Sequence, residues 1–197
     1  MKPKLILIGG GGHCASCIDV IEQEGKFEIA GIVDKDPCGK ELLGYRFLGK
    51  DDDLLSLRSS CNFALITVGQ IRSPQARIRL FEHAKSLGYT LPTIISPRAY
   101  VSRHAFVGTG SIIMHDALVN ARATIGINCI INTKALIEHD AIVGDHCHIS
   151  TAAVINGGVE VGSGSFVGSN AVTKEAVVTK GSAFIKAGSL FTGHTND

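Results

Sequence analysis

The chain has 197 residues, a formal net charge of +1 and a hydrophobic content of 45%. That length suits one large domain or two small ones, and the composition excludes a disordered chain. A near-neutral charge gives no electrostatic reason to bind nucleic acid or an acidic membrane. Apolar runs such as residues 5–8 are far too short to cross a membrane, and the first residues do not resemble a signal peptide. Six irregularly spaced cysteines do not suggest a disulfide framework, so we expect a soluble cytosolic protein.

The first ninety residues alternate the signals of strands and helices. Residues 4–9, 27–34 and 62–69 are apolar runs typical of buried parallel strands. Helices are predicted where capping residues frame the segments between them, over residues 13–24, 51–57 and 73–87. Strands that alternate with helices imply a parallel sheet with crossover helices. Residues 1–92 therefore predict a Rossmann-like α/β domain, with a joint at residues 92–97.

From Val101 onward the pattern changes to a six-residue repeat. Aliphatic residues occupy every sixth position from Val101 to Val167, and small or apolar residues lie four places after each of them. This frame holds for twelve consecutive units, and weaker units begin at Thr173, Thr179 and Ile185. A two-residue step keeps side chains on one face of a strand, whereas a four-residue step must turn a corner. Short strands joined by tight corners around a continuous core predict a β-solenoid rather than a sandwich.

The corners of this solenoid have a predicted position in the repeat. The residue directly after each inward aliphatic is mostly Gly, Asn or Ser, as at Gly108, Asn120 and Gly126. Gly and Asn tolerate left-handed backbone better than other residues. We therefore expect the left-handed corners one residue after each inward aliphatic side chain.

A run of four glycines lies between the first strand and the first helix. Gly10, Gly12 and Ala15 fit the spacing of a dinucleotide-binding loop, in which a helix N-terminus holds a phosphate. Asp34, at the end of the second strand, is placed to bind a ribose hydroxyl. These features alone favour NAD. Against NAD, residues 1–92 supply only half of a dinucleotide fold, and a solenoid offers no hydride-accepting domain.

Two groups of side chains in this half allow alternative interpretations. Cys14 and Cys17 form a C-x-x-C pair at the start of a helix, where a thiolate pKa is lowered, so they fit a redox pair. Structural packing is favoured, because one thiol must face the sheet. Arg72, Arg77 and Arg79 are predicted to form a solvated helix face, with contact to a phosphate as the alternative.

The chemically richest segment, residues 132–150, contains His139 followed directly by Asp140. In the six-residue frame His139 lies two places after an inward position, so it points outward. A carboxylate beside a histidine holds one tautomer and stabilises the imidazolium, as a general base near neutral pH requires. An amine or hydroxyl that attacks a thioester must lose a proton, so this pair suits acyl transfer.

The repeat resembles that of the hexapeptide-repeat proteins, which form a three-sided left-handed β-helix. A glycine-rich Rossmann-like domain before such a helix is similar to the NeuD/PglD-like sugar O- and N-acyltransferases. The resemblance implies a nucleotide-sugar-binding domain at residues 1–92 and an acyltransferase β-helix at residues 93–197. It implies acetyl-CoA-dependent N-acetylation, without a metal, of a nucleotide-linked amino sugar, expected to be a UDP-4-amino-4,6-dideoxy sugar. It further implies a cytoplasmic homotrimer, with CoA between neighbouring solenoids and the sugar nucleotide reaching His139 of an adjacent chain.

The same resemblance implies roles for individual residues. His139 matches the general base, and Asp140 matches its orienting partner. Lys35 separates two acids that the family often has side by side, so the nucleotide base stays open. The substrate-binding residues, which include the carboxyl edge of the third strand, are Gly11, Gly12, His13, Asp34, Lys35, Asp36, Gly69, Gln70 and Asn132. Contacts to the acyl donor are expected from His148, Gly157, Ser169 and Ala171, and its phosphates are expected near Lys174, Lys180 or Lys186.

Several alternatives remain open from the sequence. Residues 145–148 look rich in zinc ligands, as in solenoids of the γ-carbonic-anhydrase type. Zinc is disfavoured because Cys147 is predicted to stack inward on Cys129, and the solenoid half lacks the pair of histidines five residues apart that marks that family. The same fold would serve a sialic acid or related sugar O-acetyltransferase. An NAD-dependent oxidoreductase and a non-catalytic nucleotide-sugar-binding module are the alternatives from other classes. Residues 184–197 lack the G-x-P-A segment common in related enzymes.

Overall fold

The computed structural model describes residues 1–37 and 39–193, so the end of the predicted tail, residues 194–197, lies outside the described residues. The N-terminal half is a five-stranded sheet with order β3-β4-β2-β1-β5, parallel except between β3 and β4. Its strands are β1 (Lys4–Ile8), β2 (Glu28–Val33), β3 (Glu41–Leu42), β4 (Tyr45–Gly49) and β5 (Phe63–Ile66), and its helices are α1 (Gly12–Glu24), α2 (Leu54–Leu57) and α3 (Gln75–Ser86). Within the described residues, no helix is both long and apolar enough to cross a bilayer.

The predicted elements of this half are confirmed, with no end shifted by more than three residues. The apolar residues of β1 are buried, as a central parallel strand requires. Gly25 ends α1 in a left-handed conformation, with φ of 68°, and its N–H bonds to the carbonyl of Ile21. The short strands β3 and β4 were not predicted, because their half-exposed side chains form no apolar run. They extend the sheet at its edge, where burial on both faces is not needed.

The C-terminal half is a parallel β-helix with the shape of a three-sided prism. Its first face contains β6 (Ile94–Ile95), β9 (Ile112–Ile113), β12 (Ile130–Ile131), β15 (His148–Ile149), β18 (Phe166–Val167) and β20 (Phe184–Ile185). Its second face contains β7 (Tyr100–Val101), β10 (Leu118–Val119), β13 (Leu136–Ile137), β16 (Val154–Ile155), β19 (Val172–Thr173) and β21 (Leu190–Phe191). Its third face contains β8 (Phe106–Val107), β11 (Thr124–Ile125), β14 (Ile142–Val143) and β17 (Glu160–Val161).

The six-residue frame is confirmed by the core of the prism. The inward aliphatic residues, such as Ile131, and the small residues four places later, such as Ala135, are buried in one continuous cluster. The weaker units at Thr173, Thr179 and Ile185 also point inward, since their side chains are buried. Strand residues pair with those eighteen places later in the chain, as in the pairing of Ile130 with His148 on the first face. Residues eighteen apart therefore lie directly above one another.

The predicted position of the left-handed corners is wrong by two residues. Every sixth residue from Gly110 to Gly188 has a positive φ, and these residues lie three places after the inward aliphatic rather than one. Glycine occurs one place after the aliphatic residue for another reason, which is that successive coils stack closely there. A Cβ at Gly126 would lie 2.4 Å from Asp145 Oδ1 and 2.7 Å from the Asp145 nitrogen. Small size, not backbone freedom, is therefore what the structure requires at Gly126.

The N-terminal domain covers the first face of the prism. The outward side chains of Ile94, Ile112 and Ile130 share a buried cluster with Cys17 and Ile18 of α1. Because β15 belongs to the same face, the side chain of His148 lies where this docking surface ends. The loop after β5 reaches the solenoid there, and a cleft forms between the two domains.

Candidate active site

The glycine run forms an open loop in front of α1. The Gly10 N–H bonds to Asp34 Oδ2 at 2.6 Å, and a Cβ at Gly10 would lie 2.4 Å from the Phe47 ring. Gly11, the N-cap of α1, and Gly12 have open space where a Cβ would be. An uncapped helix N-terminus that faces open space can receive an anion.

The acidic residues after β2 take part in building this loop. Asp34 accepts the N–H of Gly10 through one carboxylate oxygen and, through the other, the N–H of Asp36 at 2.9 Å. Lys35 forms an exposed ion pair with Asp36 at 3.6 Å. Asp34 and Lys35 line a hollow together with Arg79 of α3. Asp51 lines the same hollow, so a nucleoside held there would meet two carboxylates and two cations.

A cleft between the domains brings six of the predicted residues together. Ser16, Ile71, Thr133 and Thr151 also line it and were not predicted. Thr133 and Thr151 both lie two places after an inward aliphatic, which is the outward signal that identified His139. The six predicted residues are Gly12, His13, Gly69, Gln70, Asn132 and His148.

His148 is held in one tautomer at the floor of this cleft. Its Nδ1 lies 2.6 Å from the backbone oxygen of Gln70, a pure acceptor, so Nδ1 carries the proton. Its Nε2 then accepts the Asn132 Nδ2–H at 3.0 Å. Desolvation by burial lowers the pKa of His148 to about 4, against a smaller raising effect of the Gln70 bond. The imidazole is therefore neutral at physiological pH.

Beside it lie His13, which is partly buried, and the fully buried C-x-x-C pair. The pKa of His13 is lowered to about 3, mainly by burial, and its ring centre lies 6.5 Å from that of His148. Cys14 and Cys17 are both fully buried. Burial raises the pKa of the Cys14 thiol to about 11 and also raises that of Cys17. The expected lowering by the helix N-terminus is therefore wrong, and the two thiols are packing groups.

His139 and Asp140 lie at a different edge of the prism, at the corner between β13 and β14. The His139 Nδ1–H donates to Asp140 Oδ2 at 2.8 Å, and the imidazole is 63% exposed. Arg122, eighteen residues earlier, binds the same carboxylate through two nitrogens, with Nε 2.6 Å from Oδ1 and a terminal nitrogen 2.8 Å from Oδ2. The Arg122 bond and, to a lesser degree, the His139 bond lower the pKa of Asp140 to about 2.

Neighbouring coils fix the surroundings of this pair. Asp140 occupies a left-handed corner position, with φ of 61°. In the same coil, Glu138 accepts a hydrogen bond at 2.8 Å from Asn120 of the coil below. In the coil above, a Cβ at Gly157 would lie 2.9 Å from Cε1 and 3.0 Å from Nε2 of His139, so the ring packs directly on the glycine backbone. Sequence reasoning missed these neighbours, although their eighteen-residue spacing was available as a signal.

The other predicted acyl-donor contacts have different surroundings. Ser169 is partly exposed, and its hydroxyl pairs with that of Ser150 at 3.0 Å. Ala171 points into the core, and both its N–H and its carbonyl are bonded within the solenoid. Only Ser169 therefore offers a side chain to a ligand. Lys174, Lys180 and Lys186 are exposed.

The expected solvated face of α3 is wrong for one arginine. Arg72 and Arg79 are exposed, but Arg77 is 1% exposed and lies between the two domains. Regarding metals, no cluster of three or more His, Cys, Asp or Glu side chains suited to binding an ion occurs among residues 1–37 and 39–193. Cys147 points inward, with its N–H 3.4 Å from Cys129 Sγ, as predicted.

Comparison with known proteins extends these observations. Residues 4–84 match the PglD N-terminal domain. The chain is 29% identical to the acetyltransferase domain of PglB from Neisseria gonorrhoeae FA1090, over 100% of this chain and 94% of that one, with a TM-score of 0.92. A second structure of that domain is a complex with acetyl coenzyme A, at a TM-score of 0.89 over 98% and 95% of the two chains, with 29% identity. The sequence matches none of the curated proteins with which it was compared.

The chain is also similar to a mutant of perosamine N-acetyltransferase from Caulobacter crescentus, solved in complex with CoA and GDP-perosamine. The two are 32% identical over 96% of this chain and 88% of that one, with a TM-score of 0.91. The fold is a Rossmann-like domain followed by a left-handed parallel β-helix, and its relatives place the chain among the acyltransferases. Within that class, the chain belongs to the PglD-like sugar N-acetyltransferases, whose donor is acetyl-CoA.

Proposed function

We propose that this protein is a homotrimeric, cytoplasmic enzyme that transfers the acetyl group of acetyl-CoA to the amine of a UDP-4-amino-4,6-dideoxy sugar. The observation that carries the proposal is the exposed His139 imidazole, whose Nδ1–H is bonded to the Asp140 carboxylate. This bond leaves Nε2 free to act as general base. The sialic acid O-acetyltransferase alternative would use the same base on a hydroxyl.

In the proposed reaction the sugar amine attacks the thioester carbonyl while His139 Nε2 takes its proton. The tetrahedral intermediate then collapses, the carbon–sulfur bond breaks, and the imidazolium returns the proton to the leaving thiolate. Backbone N–H groups of the solenoid stabilise the developing oxyanion. Asp140 stabilises the imidazolium and stays ionised, because Arg122 holds the pKa of the carboxyl at about 2. Proton transfer by a positioned base contributes roughly 10²–10⁴ in rate.

The two substrates are proposed to meet at the cleft. The nucleotide would lie along the glycine loop and Asp34, with Gly69 and Gln70 towards the sugar. The thioester would lie beside Asn132 and His148, with CoA extending past Ser169. The neutral His148 and the amide of Asn132 support this placement, because they would surround a thioester carbonyl with dipoles rather than charges.

The homotrimer is supported by the separation of the two candidate regions. Asn132 and His148 line the cleft, whereas His139 follows β13 at another edge. In the proposed trimer, an adjacent chain supplies His139 to the cleft. The second face of the prism also carries exposed apolar side chains at Tyr100 and Leu190. Contact through such surfaces would bring His139 of one chain to the cleft of the next.

The test is acetyl transfer by the purified protein, read as free thiol released and as product mass. UDP- and GDP-linked 4-amino sugars, sialic acid and NADH are the separate arms. We expect acetylation of the UDP-amino sugar and at least a hundredfold loss for His139→Ala, as expected for a general base. His104→Ala, at another exposed corner, is the matched control. NADH, acetyl-CoA and the UDP-sugar are also added separately in a thermal-shift assay. Stabilisation by NADH alone, or full activity of His139→Ala, would contradict the proposal.

A further inference from the structure

Arg77 is a cation buried between the two domains. It is 1% exposed, and the hydrogen-bond acceptors around its guanidinium are all neutral oxygens. Its Nε is buried without a partner among the described residues. Burial lowers its pKa to about 10, so the side chain remains charged at neutral pH. A buried charge without a counter-ion costs free energy, so its position calls for an explanation beyond stability.

The guanidinium fork joins the end of a strand to a corner of the solenoid. One terminal nitrogen donates to the backbone oxygens of Ile66 and Val68, at 3.0 and 2.6 Å. The other donates to Asn128, at 3.1 Å to its backbone oxygen and 2.7 Å to Oδ1. A planar fork fixes the direction between two such sets of acceptors, which a flexible ammonium does not.

Asn128, in the solenoid, also donates a hydrogen bond to Arg77. It is fully buried at a left-handed corner, with φ of 52°. Its Nδ2 donates to the Arg77 backbone oxygen at 3.3 Å and to His146 Nδ1 at 3.0 Å. The two side chains therefore bond reciprocally across the domain boundary. We call this pair, Arg77 and Asn128, the interdomain latch.

The latch is continuous with the cleft. Val68, which accepts from Arg77, is followed by Gly69 and Gln70. The Gln70 backbone oxygen accepts the His148 Nδ1–H, and the Gln70 side chain donates to the solenoid oxygens of Gly164 and Ser165. The fork therefore fixes the loop that forms one wall of the cleft relative to the coil that carries the other wall.

We propose that Arg77 is a positioning residue for acetyl transfer, which aligns the wall that holds the sugar nucleotide with the wall that holds the thioester. This inference rests on the proposed function. Each wall takes its binding groups from one domain, with Gly12 and His13 on one side and Asn132 and His148 on the other. Loss of the latch should leave both substrates able to bind, while their reacting atoms no longer meet correctly.

The experiment compares Arg77→Met and Arg77→Lys in the full-length protein. We expect kcat to fall on the order of tenfold to a hundredfold in both, since small misplacements cost that much. KM for each substrate should change by less than about threefold. Calorimetric titration with each substrate should still give one site per chain, which excludes a loss of active protein. Arg77→Lys should not rescue the rate, because it keeps the charge without the fork.

Two further variants keep the inference testable. Asn128→Gly preserves the left-handed corner and removes the Asn128 side-chain bonds to Arg77, together with the bond to His146. It should lower kcat in the same direction by a smaller factor. It carries the test if Arg77→Met does not fold. Asp19→Asn is the matched control, because it weakens another bond between the domains, from His115 Nε2 to Asp19 Oδ2 at 2.7 Å, away from the cleft.

A spectroscopic readout separates positioning from general stability. The His148 Nδ1–H bond to the Gln70 backbone oxygen, at 2.6 Å, joins the two walls of the cleft. Its NMR signal should shift in both Arg77→Met and Arg77→Lys, because both lose the fork, and stay unchanged in Asp19→Asn. Wild-type kcat in Arg77→Met or Arg77→Lys, or an equal loss in Asp19→Asn, would overturn the inference. Absence of turnover by the wild type would instead overturn the proposed function.

Discussion

The packing of His139 on Gly157 makes a methyl group at that glycine a direct test of the catalytic geometry. In Gly157→Ala the new Cβ would lie 2.9 Å from Cε1 and 3.0 Å from Nε2 of His139. An ordinary carbon contact needs about 3.5 Å, so the ring must move by roughly 0.6 Å or rotate. The ring is 63% exposed and can move without disturbing the core. Stability should therefore change by less than about 1 kcal/mol.

The rate should respond much more strongly than the stability. Movement of the ring displaces Nε2, the proposed proton acceptor, and weakens the 2.8 Å bond between Nδ1 and Asp140. Misplacement of a catalytic group by a fraction of an ångström to one ångström costs about tenfold to a hundredfold in rate. We expect kcat/KM to fall by that factor, which corresponds to about 1.4–2.7 kcal/mol of transition-state stabilisation.

The assay is a double-mutant cycle with His139→Ala, because Gly157 was also predicted to contact CoA. If the methyl group acts through the imidazole, Gly157→Ala should have no further effect when His139 is already alanine. Gly181→Ala is the matched control, since it occupies the same place in the repeat and a Cβ there has no atom nearer than 3.5 Å. An equal loss in both backgrounds, or no loss in either, would refute the reasoning.

Three other predictions concern Asp140, the histidines of the cleft and Gly126. Arg122→Gln should raise the pKa of Asp140 from about 2 towards the usual value of about 3.9, measured by NMR titration, and an unchanged value would contradict the proposed contact. The folded pKa values of His13 and His148, about 3 and about 4, lie below the unfolded value of about 6.5. The free energy of unfolding should therefore fall as pH drops below about 6.5, by up to about 1.4 kcal/mol per pH unit for each imidazole. Urea unfolding at pH 7, 6 and 5 measures this change. Gly126→Ala should destabilise the protein by about 1–3 kcal/mol, because its Cβ would meet the backbone of the next coil, whereas a similar stability in wild type and variant would show that the coils can separate.

Periodicity made the fold predictable, and it left the backbone at the corners ambiguous. A solenoid must bury a side chain at fixed intervals, so the aliphatic frame is visible in one sequence. Glycine has two physical uses, freedom of φ and small size, and the sequence does not separate them. The observed left-handed positions include residues that favour that conformation, such as Gly110 and Asn128, and residues that do not, such as Arg122 and Lys134. Gly and Asn also recur one place after the inward aliphatic, as at Gly108 and Asn120. Residue preferences alone therefore did not distinguish these two positions of the repeat.

For the candidate site, adjacent residues were easier to predict than stacked ones. His139 and Asp140 are neighbours in sequence, whereas Arg122 contacts them through the stacking of coils. Arg77 could not be recognised, because its burial depends on the docking of one domain on the other. An arginine in an amphipathic helix is usually solvated, and only the tertiary structure shows otherwise.

Stacking of coils defines columns of side chains that run parallel to the axis of the β-helix. Arg122 and Asp140 share such a column, and His139 and Gly157 share another. Mutational libraries of this enzyme should therefore randomise members of one column together, since a change in one residue alters the space and charge available to the next. Substrate range would then be engineered along columns rather than along segments of sequence.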